Sequence, residues 1–281
     1  MHDKVFDRVE KKYLLTKRDK RELLKFIKKN MRKDSYHESE VCNIYFDNHN
    51  FDLISQSIDW VDFKEKVRAR CYEGYDRVFM ELKTKIHAQA RMESDDGNEE
   101  NIGYKRRVMI TRGDFDELIN HRTTLESLAE KSVETKSDCQ IAREIDYLLM
   151  HFELRPQVFI AYRRESYKDD GGLRITFDEN LRYRTTDLSL IQAKHDTIYF
   201  KDDHNIIMEV KADGVMPLWL VQELSKLKLY PQQFSKIGKV YQDIVMSKGK
   251  GCGGGFQREL GQGRITAGRT HRERKRKEKN V

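Results

Sequence analysis

Long cationic side chains recur at every second position in one strand-like segment of this chain after another. Alternate residues of a β-strand share a face, so each row asks for a sheet with one charged and one apolar side. Lys66, Arg68 and Arg70 alternate with Val67, Ala69 and Cys71, and Glu81, Lys83 and Lys85 with Met80 and Leu82. Lys105 and Arg107 repeat the spacing, as do Tyr162 and Arg164. Arg174, Thr176 and Asp178 stand against Leu173, Ile175 and Phe177, and Glu209 and Lys211 against Met208 and Val210. Near the start of the chain Arg8, Glu10 and Lys12 share a face. One such row is the wet side of a half-buried sheet. Six or seven, each weighted to Arg and Lys, point to a common anionic object.

The bulk charge does not account for them. The 281 residues carry a formal net charge of +7. Beyond residue 248 stand ten Lys/Arg and three Glu, so the tail holds all of that excess and residues 1–248 are neutral. An anion site in the globular part must therefore be made by local placement, and no specific nucleic acid is expected as a partner. With 13 Tyr and 13 Phe the chain is too aromatic for wholesale disorder. Residues 1–248 read as one domain. Residues 249–281, Gly-rich, basic and without periodicity, read as a disordered tail: a solubilising extension, or an electrostatic contact to a polyanion or anionic lipid.

Cys42, Cys71, Cys139 and Cys252 are scattered, with no CxxC pair and no zinc spacing. No signal peptide and no apolar run of membrane-spanning length is evident. The expectation is a cytoplasmic protein, with room for association with the cytoplasmic face of a membrane through a membrane-protein partner.

Periodicity predicts strands over 6–15, 41–47, 64–72, 77–85, 103–110, 157–167, 173–178 and 206–212. Residues 168–172, Lys-Asp-Asp-Gly-Gly, mark a hairpin turn. Helices are expected from the Thr16 N-cap to about residue 31, from Asp114, around Ile141–Phe152 spacing, over 218–227 and over 235–247. The stretch 92–101 reads as an acidic loop. The fold class is α+β: an antiparallel eight-stranded β-barrel with flanking helices.

If the charged faces line the bore of that barrel, it becomes a cationic channel. Buried unpaired charge is costly, so the bore needs water or a polyanion. A linear phosphate chain suits it, with many oxygens matched to guanidinium forks. Glu10, Glu81, Asp178 and Glu209, on the same faces, are oxygen donors that could hold a divalent cation.

Here an ordered set of motifs resembles a known family. These are Arg8-Val-Glu-Lys-Lys12-Tyr13, Tyr45-Phe-Asp47, Val67-Arg-Ala-Arg70, Glu81-Leu-Lys83, Tyr104-Lys-Arg-Arg107, Tyr162-Arg-Arg164, Leu173-Arg174-Ile-Thr-Phe-Asp178, Met208-Glu-Val-Lys211 and Phe234-Ser-Lys236. They resemble, in the same order, the polyphosphate-polymerase domain of the vacuolar transporter chaperone type, within the triphosphate-tunnel superfamily. The resemblance implies transfer of the γ-phosphate of ATP onto a growing polyphosphate chain, helped by manganese or magnesium. It implies catalytic roles for Arg68, Arg70, Lys83, Arg164 and Arg174, with Lys12, Lys105, Tyr162, Ser235 and Lys236 binding phosphate and Glu209 holding metal. The charged faces add Arg8, Arg107 and Lys211 as phosphate contacts and Glu10 as a second metal carboxylate.

Two features depart from the pattern, the acidic insertion over 86–103 and the basic tail. A metal-dependent triphosphate hydrolase of the same fold is the nearest rival. Those relatives begin Glu-x-Glu-x-Lys, whereas Arg8 replaces the first acid here, which favours holding a chain over hydrolysing it. A non-catalytic polyphosphate or nucleic-acid binder is the third reading.

Overall fold

The computed structural model describes residues 8–56, 63–86, 102–131, 136–190, 197–200 and 206–251. Residues 6–7 of the expected first strand, the acidic stretch 92–101 and the tail beyond 251 lie outside the described residues. Met1–Ile244 forms one compact unit and Val245–Val281 a second; the sheet and its charged rows belong to the first.

The strands are β1 (Arg8–Leu15), β2 (Arg32–Asp47), β3 (Phe63–Tyr72), β4 (Val78–Ile86), β5 (Ile102–Ile110), β6 (Arg155–Lys168), β7 (Arg174–Arg184), β8 (Ile198–Tyr199) and β9 (Ile206–Asp213). Every pairing among them is antiparallel. The order is β1-β9-β7-β6-β2-β3-β4-β5, with the short β8 beside β7. The antiparallel α+β architecture is the expected one. Its closure is not: among the described residues no ladder joins β5 to β1, so the sheet is a rolled trough with a seam. Rolling is evident from charge contacts between distant strands. Lys12 on β1 feels Lys83 on β4, and Lys66 on β3 feels Lys12.

Helices α1 (Lys17–Asn30) and α6 (Leu218–Lys226) cover the convex side of β1, β7 and β9, burying Leu23, Ile27, Phe177, Met208, Val210 and Leu220. Lys20 pins α1 from below, bridging Glu165 of β6 and Glu179 of β7 at 2.5 Å each. Helices α2 (Asp52–Ser55), α3 (Arg112–Ile119), α4 (Leu125–Lys131) and α5 (Lys136–His151) supply or flank the second convex core around Val67, Met80, Val108, Phe115 and Ile145. Helix α7 (Lys236–Gly251) begins on the concave side, where Ile237 and Val240 of its first turns pack on Val41, Tyr45, Ile160, Tyr162, Leu181 and Ile207.

Local chemistry explains most of these boundaries. Thr16 accepts from the Asp19 amide at 3.2 Å and Asp19 accepts from the Thr16 amide at 2.9 Å, a capping box that starts α1 as the sequence suggests. The same box at Thr111 and Asp114 starts α3 just before the Asp114 expected to open it. In the hairpin between β6 and β7 Gly172 has φ +87°, and a Cβ there would meet Asp213 Oδ2 at 2.4 Å. Only glycine fits. Two short helices were not foreseen. Asp47, at the end of β2, accepts from the Leu53 and Ile54 amides of α2. Asp146, on α5, accepts from Leu125 at 3.0 Å and Glu126 at 2.8 Å at the start of α4.

That last contact holds α4 against α5. Replacing Asp146 by Ala strands two amides, and by analogy with lost helix caps should cost about 1–2 kcal/mol. Urea denaturation at neutral pH checks this; an unchanged midpoint would assign the cap no weight.

Candidate functional site

The concave face gathers the cationic rows, and two buried carboxylates organise them. Glu81 on β4 is 2% exposed. Arg68 reaches it at 2.6 Å, Lys105 at 2.7 Å and Arg70 at 3.9 Å. Arg68 also donates to the Tyr45 hydroxyl at 3.2 Å, and Arg70 to Asn43 Oδ1 at 3.1 Å. Burial alone would raise the Glu81 carboxyl, but Arg68, Arg70 and Lys105 overcome it and hold the group at about 2.

Asp178 on β7 is fully buried and serves the opposite wall. Arg164 grips it with two parallel bonds of 2.7 and 2.8 Å, and Lys236 adds a third cation contact at 2.7 Å. Against burial, Lys236 and Arg164 hold its carboxyl far below the ordinary range. Both cations also lie over the Tyr162 ring, at 5.3 Å for Arg164 and 4.7 Å for Lys236. Burial would raise the Tyr162 phenol; Arg164, Arg70 and Lys236 outweigh that and lower it.

Helix α7 enters this space by its N-terminus. Ser235 Oγ accepts from the Gly238 amide at 3.2 Å, capping the helix, and accepts from Lys66 Nζ at the same distance. The first turn of α7 therefore brings Ser235, Lys236 and a positive dipole end into the bore. Lys12 donates to the Phe234 carbonyl at 3.2 Å, tying the same turn to β1.

Toward the other mouth the acids are less buried. Lys211 lies between Glu209 at 2.7 Å and Glu10 at 3.5 Å, and Lys12 stands 3.7 Å from Glu10. Burial opposes ionisation of Glu209, but Lys211, Arg164 and Lys12 keep it ionised, at about 2. Arg174 meets Asp34 at 3.1 Å at the rim. Arg107 packs its guanidinium over Phe79 at 4.9 Å, and Lys83 is exposed to the bore beside Lys12 and Lys66.

Of the residues singled out in the sequence, Lys12, Arg68, Arg70, Lys83, Lys105, Tyr162, Arg164, Glu209, Lys211, Ser235 and Lys236 thus share one concave space. Arg107, Arg174 and Glu10 border it. Arg8 pairs with Asp213 in the ladder, on the strand face of Glu10 and Lys12; its side chain is outside the described residues. Glu81 and Asp178 are not metal donors, because guanidinium and ammonium groups occupy their oxygens. Among the described residues no three His, Cys, Asp or Glu cluster around one point. Glu209 and Glu10, close enough to share one ammonium, are the pair whose hard oxygens suit magnesium or manganese, provided phosphate oxygens complete the shell.

Sequence reading passed over Lys66 as a ligand, although it heads the Arg68 and Arg70 row. It has Ser235 as its hydrogen-bond partner and cations around it. Burial first, then Lys83, Lys12 and Arg68, bring its ammonium down to about 7.

The molecule is thus a curved antiparallel sheet whose concave face is lined by Arg and Lys, as the alternating rows of the sequence require. The chain belongs to the VTC domain family, whose model matches residues 7–243. Among solved structures it is similar to the PH1819 protein of Pyrococcus horikoshii OT3, at 13% identity and a TM-score of 0.39, over 86% of this chain and 99% of that one. It is also similar to a Vibrio parahaemolyticus protein described as a candidate adenylate cyclase, at 10% identity and a TM-score of 0.38, over 85% and 97%. No curated protein matches the sequence significantly. Among the described residues no helix is long and apolar enough to cross a membrane.

Lys66 gives the site a pH dependence whose sign is fixed. Its folded value of about 7 lies below the ordinary lysine value, so between those limits the unfolded chain binds the extra proton. Its contribution to stability is most unfavourable below pH 7 and is relieved as pH rises. A polyanion reverses the preference, and binding above pH 7 takes up a proton. Tripolyphosphate affinity should fall as pH rises from 7 to 9, approaching about tenfold per unit. Calorimetric titrations of the wild type and Lys66→Arg isolate the effect, since the arginine profile should be flatter; parallel profiles would remove Lys66 from the site.

Proposed function

We propose that this chain is an ATP-dependent polyphosphate polymerase, extending an inorganic polyphosphate chain within the trough. One observation carries the reading: cations from six strands and one helix N-terminus surround a single space, and the acids among them, the deeply buried Glu81 and Asp178 with Glu209 and Glu10 nearer the mouth, offset only part of that charge. That leaves positive charge along a line rather than at a point, which is what two linear phosphate chains meeting end to end require.

In the reaction a terminal oxygen of the acceptor chain attacks the γ-phosphorus of ATP. A new P–O bond forms, the bond from the γ-phosphorus to the β–γ bridging oxygen breaks, and ADP leaves with that electron pair. Arg68, Arg70 and Lys105 on one wall and Arg164 and Lys236 on the other spread the charge of the transferring group. Lys12, Lys66, Lys83 and Ser235 hold neighbouring phosphates in line. Lys211, Arg107 and Arg174 extend the cationic track toward the mouth, and Arg8, on the strand face of Glu10 and Lys12, is the further phosphate contact proposed on that strand. A divalent ion at Glu209 and Glu10 would neutralise phosphate oxygens when bound; Lys211 must then turn from those acids toward phosphate. Cytoplasmic ATP supplies the donor, and a membrane-protein partner at the cytoplasmic face would receive the product.

The reading is tested with the purified chain, ATP and manganese, resolving products by chain length. ADP should appear together with lengthening polyphosphate and little early orthophosphate. Stoichiometric orthophosphate without chains would make the protein a hydrolase; tight polyphosphate binding without turnover would make it a sensor. Arg68→Ala with Arg70→Ala should weaken tripolyphosphate binding by several kcal/mol, each charge-assisted contact being worth about 1.5–3 kcal/mol.

Glu209→Gln separates metal from phosphate. It removes a negative charge from a cationic space, so tripolyphosphate affinity should hold or rise while turnover falls. Full turnover across a manganese titration would show that Glu209 holds no metal.

A further inference from the structure

A second row of cations lies outside the trough, on the convex side of the sheet. Helix α1 carries seven Lys/Arg and two acids in 14 residues. Lys17, Arg21, Lys25 and Lys28, spaced four, four and three apart, form one stripe along it. With Lys20, Leu24, Glu179 and Ile206 they line a groove of about 410 Å³. At 1.5 Å per residue the stripe runs for about 16 Å, room for a run of several phosphate units.

Folding does not explain the stripe. The apolar contacts of α1 come from Leu23 and Ile27, and its electrostatic anchor from Lys20, whose ammonium is taken by Glu165 and Glu179. Of the two acids, Asp19 is taken by the cap and Glu22 by Lys25. Among the described residues Lys17, Arg21 and Lys28 form no ion pair with a carboxylate. Like charges at these spacings oppose one another and weaken the helix.

We propose that this groove is a second oligophosphate site, holding a phosphate chain against α1 independently of the trough. A shallow groove with cations in file offers successive contacts along a linear polyanion, and guanidinium and ammonium groups suit phosphate oxygens. That the chain is inorganic polyphosphate rests on the polymerase reading above; that the site binds linear phosphate does not.

The test compares long-chain polyphosphate with tripolyphosphate on the full chain, by fluorescence anisotropy at fixed salt. The triple variant Lys17→Gln, Arg21→Gln, Lys28→Gln should bind long chains about tenfold more weakly and tripolyphosphate unchanged. Its melting temperature should hold or rise, since like charges have been removed. Unchanged long-chain affinity overturns the proposal, as does an equal loss for both ligands. Loss of binding to phosphatidylserine-containing vesicles with long-chain affinity intact would also overturn it, making the groove a lipid contact. Arg68→Ala with Arg70→Ala is the control for the trough. If that variant keeps its tripolyphosphate affinity, the trough reading fails while the groove is still judged on the triple variant.

Discussion

Glu81 and Asp178 decide how much positive charge the concave face can carry and still fold. Arginines and lysines pointing into one space repel one another, and each loses hydration as the sheet rolls. A carboxylate placed between them offsets part of that cost only if its geometry is good, and here both acids are fully used. Glu81 serves Arg68 and Lys105 closely and Arg70 at longer range, while Asp178 serves Arg164 and Lys236. Removing either would leave buried cations uncompensated, a loss of about 3–5 kcal/mol in comparable pairs. The two acids stand on β4 and β7, on different walls of the trough. Each wall thus has an acid of its own that offsets part of its charge, and the space between the walls remains positive.

That arrangement also fixes what the remaining groups can do. The forks of Arg68 and Arg164 are held by carboxylates and by aromatic faces, Tyr45 and Tyr162. Their positions cost a ligand little further ordering, which is how preorganised charge contributes to transfer chemistry. Lys66 and Lys83 have no carboxylate partner among the described residues, so they are the groups that gain most from an incoming phosphate. The N-terminus of α7 completes the set, because a capped helix end adds oriented amides without adding a side chain to order.

The charged rows were legible in the sequence because a period of two is a local signal. Each of Lys66–Arg68–Arg70, Glu81–Lys83 and Glu209–Lys211 falls on the concave face for that reason alone. Roles within the rows were less legible. Nothing local separates Glu81, whose oxygens are occupied by cations, from Glu209, which shares only Lys211 closely. That difference is made by β3 and β5 lying on either side of β4, a property of the pairing. The short helix α4 escaped for a similar reason, since Asp146 caps it from α5, whereas α2, capped by Asp47 just upstream, has only four residues and shows no helical period. Closure was overread, because alternation shows which face a residue takes and not whether the first and last strands meet.

The concave side is not polar along its whole length. Past Lys236 it is filled by Ile237 and Val240 against Val41, Ile160, Leu181 and Ile207, side chains with nothing to offer a phosphate oxygen. These apolar contacts bound the cationic part of the concave face on the side of α7, so the rows of Arg and Lys line only a stretch of the trough. The length of that stretch, rather than the length of the strands, sets how many charges the concave face can bring to bear at once.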